Sequence, residues 1–447
     1  MKQSQSSKLL EGSVGITLVK MTWSMFWGIL AITSFQVADA FFVGKLGTEA
    51  LAGLSFTFPV AMFLVNLAIG MGIGTTAVIS RAVGSGEWEY VNRLGTYALS
   101  LSLFVGVCVM ALGLLTIDPL FSAMGALDHH MPAIRDYMTI WYLGLPAVIV
   151  TIVANFSMRA LGETKIPGLL MVGSSVMNIV LDPLLIFGWG PFPGMGVLGA
   201  ALASVIADMV FVVLSFWVLL KRLHLFTLKG LRVQEGVMAI QSFIKIGFPA
   251  SLANMIVPFS IGVVTYLVAS YGEAAVAAFG VVTRVETFFL VLPLALSSVL
   301  GPFVGQHVGA ERYDRIHEAL RLVFRFCLLW GLLLAVILFF LSSIIMEAFN
   351  SDPNVVRQGR FYFWIVPISY MGYSIVMNVS AAFNAFGRPK PTLILSLLRM
   401  VVLYLPLAYF LQQFWGLVGI FVAASFANMI SGCVAYYWNR VHCSGSS

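Results

Sequence analysis

Charged residues are scarce: Asp, Glu, Lys and Arg make up 10% of the 447 residues, where a soluble domain carries about a quarter. With 60% of the chain hydrophobic, that scarcity excludes an ordinary water-soluble globule. Cysteine is scarce too. Cys108, Cys327, Cys433 and Cys443 are scattered, three of them in or beside apolar runs, with neither metal-ligand nor redox spacing; they read as packing residues. The six histidines fall mostly in loops or termini, or as the pair His129 and His130, and no spacing suits a metal. No Ser, His and Asp arrangement and no Gly-rich lysine loop for phosphates appears. That argues against an enzyme and against ATP hydrolysis, and no cofactor is expected. Any work the chain does must draw on an ion gradient, worth about 2.3 kcal/mol per charge per 100 mV besides the chemical term. No charged leader with a short apolar core and a cleavage site precedes the first apolar run, so the N-terminus is expected to be retained.

What the chain has in abundance is long apolar runs. A helix needs about 20 apolar residues to cross the hydrocarbon layer, and twelve stretches qualify: roughly 14–43, 50–80, 93–117, 133–158, 166–188, 196–220, 237–269, 275–304, 316–346, 357–383, 391–411 and 416–439. The formal charge of +6 is explained by loop orientation rather than by a nucleic-acid partner. With the N-terminus inside, nineteen of the 25 Lys and Arg fall in inner segments, from Lys2, Lys8 and Lys20 to Arg388, Lys390 and Arg440. Only Lys45, Arg135, Arg357 and Arg360 are outside. Cytoplasmic loops carry such an excess, so both termini are expected in the cytoplasm.

The chain repeats itself at an offset of 225. Lys20 pairs with Lys245, Val43 with Val268, Gly47 with Gly272, Ala50 with Ala275, Ala52 with Ala277, Val60 with Val285, and Val83–Gly84 with Val308–Gly309. After compensating gaps, Gly162 and Lys165 meet Gly387 and Lys390. Six helices separate equivalent positions, so both halves cross the membrane in the same direction and are related by a pseudo-twofold axis along its normal. The expected fold is an all-α integral membrane protein of 12 transmembrane helices in two six-helix bundles. The first lobe is residues 1–225, the second residues 226–447, and a basic segment from Lys221 to Lys245 links them.

An ionised side chain at mid-bilayer costs on the order of 3 kcal/mol even on the lenient insertion scale, which makes intramembrane carboxylates functional suspects. They are Asp39, Asp182, Asp208 and Glu286. Asp39 lies six residues before Lys45, and Asp182 six residues before Gly188, at matching depth on outward-running helices. Asn178, four residues before Asp182, shares its helix face, and Pro183 frees a backbone carbonyl beside them. At the 225 offset these three correspond to Val264, Leu403 and Leu407. Structural glue would be kept in both copies, so the asymmetry favours function. Two adjacent carboxylates in a low dielectric cannot both ionise cheaply, which makes a proton switch, but the same oxygens with the Asn178 amide suit sodium equally. Residue types alone leave both open. Phe35 and Gln36, about one turn before Asp39, are expected on its face and in a substrate cavity. Arg284, Glu286 and Arg399 are candidates for cavity or gating roles. Asp208 is a weaker one, because its gapped counterpart Asn428 points to a shared structural role.

The segments VADAFFVGKLGTEALAGLSF, RALGETKIP and NIVLDPLLIFG, echoed by VASYGEAAVAAFG and GRPKP in the second half, resemble the MATE multidrug and toxic compound extrusion transporters. The resemblance covers nearly the whole chain. Asp39, Asn178 and Asp182 match the pattern of the DinF-like branch, whereas helices 7 and 10 hold no carboxylate of the kind the NorM and eukaryotic branches use. The resemblance implies a V-shaped fold and export of diverse cationic or aromatic compounds in exchange for H+ or Na+. It departs from the branch at Ser24, where helix 1 usually has a proline that the second half keeps as Pro249, and at Ala200, where some relatives offer a hydroxyl. A flippase for a lipid-linked saccharide shares the duplicated plan and stands as the alternative, with a channel or membrane enzyme behind it. Expected partners are small drug-like molecules and membrane lipids. A complete two-half cavity implies a functional monomer, and the compact loops fit a prokaryotic plasma membrane.

Overall fold

The computed structural model describes residues 10–46, 48–188 and 193–444, all helix, turn or loop, with no strand among them. Lys2, Lys8 and Gly47 lie outside the described residues, as do the side chains of Ala50, Ala52 and Cys443. Twelve helices have the length and apolar character to cross a membrane: α1 Val14–Gly44, α2 Thr48–Gly84, α3 Trp88–Ala123, α4 Met131–Ala160, α5 Lys165–Ile186, α6 Val197–Arg222, α7 Val233–Ala269, α8 Glu273–Gly309, α9 Tyr313–Phe349, α10 Pro353–Ala385, α11 Lys390–Trp415 and α12 Leu417–Ser444. Outer faces stay apolar, with Leu115 79%, Phe340 74% and Tyr266 80% exposed. Water would penalise such surfaces, and lipid does not.

Helix ends follow the local sequence. Gly162 adopts φ 84° and ends α4, after which the Glu163 carboxylate accepts from the amides of Lys165 and Ile166 at 3.0 and 3.1 Å and caps α5. Gly387, at the 225 offset, ends α10 with φ 75°. Asp352 caps α10 through the Asn354 amide at 2.8 Å, with Pro353 as the first helical residue.

Trp23–Ser251 form one compact unit, and residues 10–22 with residues 252–444 form the other. Helices α1 and α7 therefore each divide between units, and contacts near the helix starts show which unit each start belongs to. In the first unit the segment leading into α7 is tied to α3. Thr96 exchanges hydrogen bonds with the backbone of Thr227, Tyr97 does so with Arg232, and Arg93 pairs with Glu235 at 2.6 Å. In the second unit Arg312 and Arg315, at the start of α9, donate to the carbonyls of Leu10 and Gly12 just before α1.

Within each unit, small residues set the helix crossings. Lipid removes the hydrophobic drive between helices, so close packing must supply it. A Cβ at Gly106 of α3 would sit 2.7 Å from the Pro146 Cα of α4, and one at Gly331 of α9 would sit 2.5 Å from the Met371 amide nitrogen of α10. Both partners of that pair obey the 225 offset. Leu94, Val153 and Met158 centre one core cluster of the first unit, with Ile134, Leu145 and Ile149 in a second; Val282, Phe363 and Tyr370 centre one cluster of the other unit, with Leu300, Phe303 and Val379 in another.

Gly331→Ala is expected to destabilise the protein by about 2 kcal/mol through overpacking. Gly280→Ala, where a Cβ meets nothing within 4 Å, should be neutral or stabilise by up to about 1 kcal/mol. Paired thermal melts in detergent check the contrast.

Candidate functional site

The seam between α1 and α5 is fixed at both ends. At its lower end a Cβ on Gly28 would lie 3.0 Å from the Gly168 Cα, and one on Gly168 would strike the Ser24 carbonyl; two backbones touch because neither position has a side chain. At its upper end the Phe42 and Phe187 rings meet edge to face at 6.4 Å, and Val43, Ile186 and Ala200 share one buried cluster. Asp39 stands four residues before Val43, and Asp182 four residues before Ile186. One helical turn below a pair of residues in contact, two side chains face each other. The structure thus brings Asp39 and Asp182 within reach of each other's charge, with Asn178 one turn further down α5. That helix continues through Pro183 without a break.

The chemistry of this seam is one-sided. Asp182 is fully buried and Asn178 nearly so. Both Asp182 carboxylate oxygens and the Asn178 Oδ1 are shielded from solvent and accept no hydrogen bond. Nearly all buried acceptors in proteins have a donor, and each missing one costs about 1–3 kcal/mol. An oxygen-rich, donor-poor cluster of this kind can be satisfied by a proton or by a small hard cation. The residues fit either, since oxygen ligands are those a hard cation prefers. Asp39 is half-buried at the edge. Phe35, one turn before it, is half-buried, and Gln36 is exposed. Below them the Thr33 hydroxyl donates to the Ile29 carbonyl at 3.0 Å, a back-bond that bends helices.

Sequence reasoning missed Tyr137 of α4, which lies within electrostatic reach of both Asp39 and Asp182. A signal was present, because Tyr137 and Tyr362 obey the 225 offset. Of the remaining candidates, Asp208 shares the first unit with the seam, and Glu286, Arg399 and Arg284 belong to the other unit. Asp208 on α6 is half-buried, and no charge interaction links it to the Asp39 pair. Glu286 on α8 accepts from the Tyr362 hydroxyl at 2.6 Å and feels Arg399 without forming an ion pair with it. Arg399 is buried, donates to Asn428 at 3.3 Å and lies 4.2 Å over the Tyr373 ring. It belongs to a π-helical stretch of α11, Leu398–Tyr404. Arg284 is exposed. Among the described residues no group of three or more His, Cys, Asp or Glu is placed to hold a metal.

A family model, MatE, matches residues 25–184 and again residues 249–410. The chain belongs to the MatE family. The double match repeats the internal duplication, and it makes this chain a multi-pass membrane transporter rather than an enzyme. Its similarity to the FAD transporter of Shewanella oneidensis is 36% identity over 96% of this chain and 95% of that one. The probable multidrug resistance protein YoeA of Bacillus subtilis is 25% identical over 91% and 90%. The crystal structure of the Vibrio cholerae MATE transporter VcmN in the bent form superposes with a TM-score of 0.90 at 31% identity, covering 99% of this chain and 98% of that one. MATE transporters therefore share its fold of twelve helices.

Asp182→Leu, which installs the residue found at the equivalent place in the second half, removes two donorless buried oxygens. It is expected to raise thermal stability by about 2 kcal/mol. A melt of purified protein that shows no gain, or a loss, contradicts the idea that those oxygens lack partners.

Proposed function

We propose that this MATE transporter is an ion-coupled exporter of the DinF-like branch, in which Asp39 or Asp182, with Asn178 beside them, takes up a proton as an aromatic or cationic organic compound leaves. The observation that carries the reading is the set of three buried, donorless oxygens on the α1–α5 seam. Bare carboxylate oxygens in a low dielectric favour any event that brings a positive charge to them, so proton arrival stabilises one arrangement of the seam over another. That difference is what couples a gradient to movement. Protons are preferred to sodium because Ala200 presents a methyl group beside Val43 and Ile186, leaving few oxygens for a cation that favours about six ligands. Both termini in the cytoplasm, a prokaryotic plasma membrane and a monomer that works alone complete the reading.

The place where α1 yields follows from its contacts. At Ser24 there is no proline, and Gly28 is pinned against Gly168. The Thr33 back-bond is the next soft point towards Asp39, so the upper part of α1 bends there when Asp39 or Asp182 is protonated.

A second reading of the cargo is a flavin nucleotide. It is favoured by one fact, that the relative named as an FAD transporter shares 36% identity with this chain while the multidrug relative YoeA shares 25%. Both cargoes have a flat aromatic ring system that Phe side chains can stack against.

Proteoliposomes loaded with a fluorescent cationic dye or with FAD, under imposed proton or sodium gradients, decide cargo and ion together. Proton-driven efflux is expected. Asp39→Asn should reduce it at least 100-fold at matched abundance, and export at the unmodified rate would remove Asp39 from the mechanism. Thr33→Val should slow efflux several-fold while leaving substrate affinity within about twofold, and an unchanged rate would move the bend elsewhere.

A further inference from the structure

The second unit spends buried polar groups in a different pattern. On α10 the 3₁₀ turn Pro367–Ser369 interrupts the helix, which then resumes at Tyr370. From there Tyr370, Ser374 and Asn378 recur at intervals of four and so form one stripe. By the same geometry the stripe lies on the side of α10 away from Gly372, where α10 touches the α12 backbone at Asn428 and Gly432. All three residues are fully buried. The Ser374 hydroxyl has no partner. Asn378 donates to the Ser374 carbonyl at 2.9 Å and meets Cys327 of α9 at 3.8 Å, while its Oδ1 has none. At the head of the stripe the Tyr370 hydroxyl lies by Tyr362, which donates to Glu286 of α8 at 2.6 Å.

The first unit supplies a control on the same scaffold. At the 225 offset Tyr370, Ser374 and Asn378 become Leu145, Ile149 and Val153, each fully buried in apolar clusters. A hydrocarbon stripe is thus what this position of the fold accepts, and α10 departs from it three times in succession. Buried hydroxyl and amide groups without protein partners are where proteins hold internal water. The stripe from Tyr370 to Asn378 is about 12 Å long by helical rise, the length of a short file of such molecules.

We propose that the second unit encloses a file of internal water along Tyr370, Ser374 and Asn378, through which protons reach Glu286 independently of Asp39 and Asp182. Each hop passes a proton from one oxygen to the next, and the Glu286 carboxylate accepts the last. The titratable and charged groups around Glu286 are Tyr362 and Tyr370 of α10, and Arg399 and Tyr404 of α11. Arg399 supplies the counter-charge while Glu286 is ionised. Where the Asp182 oxygens accept no hydrogen bond, Glu286 accepts one from a phenol and has a nearby cation. Its proton therefore exchanges without requiring a second ion in its place.

Two measurements on the full-length protein test this. In hydroxyl-radical footprinting by X-ray pulse, radicals form from bound water, so Cys327, fully buried, should be oxidised in the unmodified protein. The double variant Ser374→Ile with Asn378→Val, carrying the first unit's residues, should protect it at least tenfold. In infrared difference spectra taken at acid pH, the carboxylic acid band that Glu286→Gln removes should shift within seconds of transfer to deuterated buffer. In the double variant the shift should be at least tenfold slower. A thermal melt as high as that of the parent shows that the variant is folded; if it fails to fold, the parent's Cys327 and infrared results alone decide. An unmodified Cys327 in the parent, or exchange equally fast in both proteins, overturns the proposal. Neither measurement involves Asp39, so the outcome is separate from that of the coupling site.

Discussion

Three oxygen atoms on one helix, two from Asp182 and one from Asn178, are held out of water with nothing to donate to them. The rest of the first unit can be understood from what it takes to keep them so. Two backbones must touch at Gly28 and Gly168 to bring α1 beside α5. Phe42, Phe187, Val43 and Ile186 must close the seam above, and α4 must bring Tyr137 to the same level. A proton or cation that arrives at these oxygens removes the cost of holding them so, and the free energy so released is available to move the helices.

Duplication supplies the scaffold, and asymmetry supplies the function. Matched features are those of geometry: Gly106 and Gly331 at helix crossings, and Gly162 and Gly387 at helix ends. Mismatched features are those of chemistry. The first unit puts carboxylates where the second has Leu403 and Leu407, and the second puts Ser374 and Asn378 where the first has Ile149 and Val153. Substitution at such places leaves backbone packing intact, because the touching surfaces are made by glycine elsewhere.

Much of this was legible in the sequence, for physical reasons. Apolar runs must match the bilayer, so all twelve helices could be marked. A carboxylate in such a run is costly enough to stand out, and its depth follows from counting residues to the nearest loop, which is why Asp39 and Asp182 could be paired before their helices were seen together. Other features depend on contacts distant in sequence. That the start of α1 packs with the second unit rests on Arg312 and Arg315 gripping the carbonyls of Leu10 and Gly12, bonds roughly 300 residues apart that no local pattern encodes. The π-helical stretch Leu398–Tyr404 has no distinctive residues at all. It turns Arg399, Met400 and Tyr404 inward together, and only their shared burial reveals it. Tyr137 was readable in principle, through its offset partner, but a tyrosine in a membrane helix is too common to notice unless the carboxylates beside it are already in place.

The two tyrosines of that pair show which part of a transport site is inherited and which is added. Tyr137 and Tyr362 occupy the same place in α4 and α10, and each stands by the carboxylates of its own unit, Asp39 and Asp182 in one and Glu286 in the other. The carboxylates come from non-equivalent helices: α1 and α5 in the first case, α8 in the second. A phenol is inexpensive to bury, since its ring packs as hydrocarbon and its single polar atom needs one partner, so both copies keep it at little cost. A carboxylate is costly wherever it is placed, and it survives only where its charge is used. The repeated element is therefore the tyrosine, and the acid stands on a neighbouring helix, bonded to the phenol in the second unit and within reach of its charge in the first.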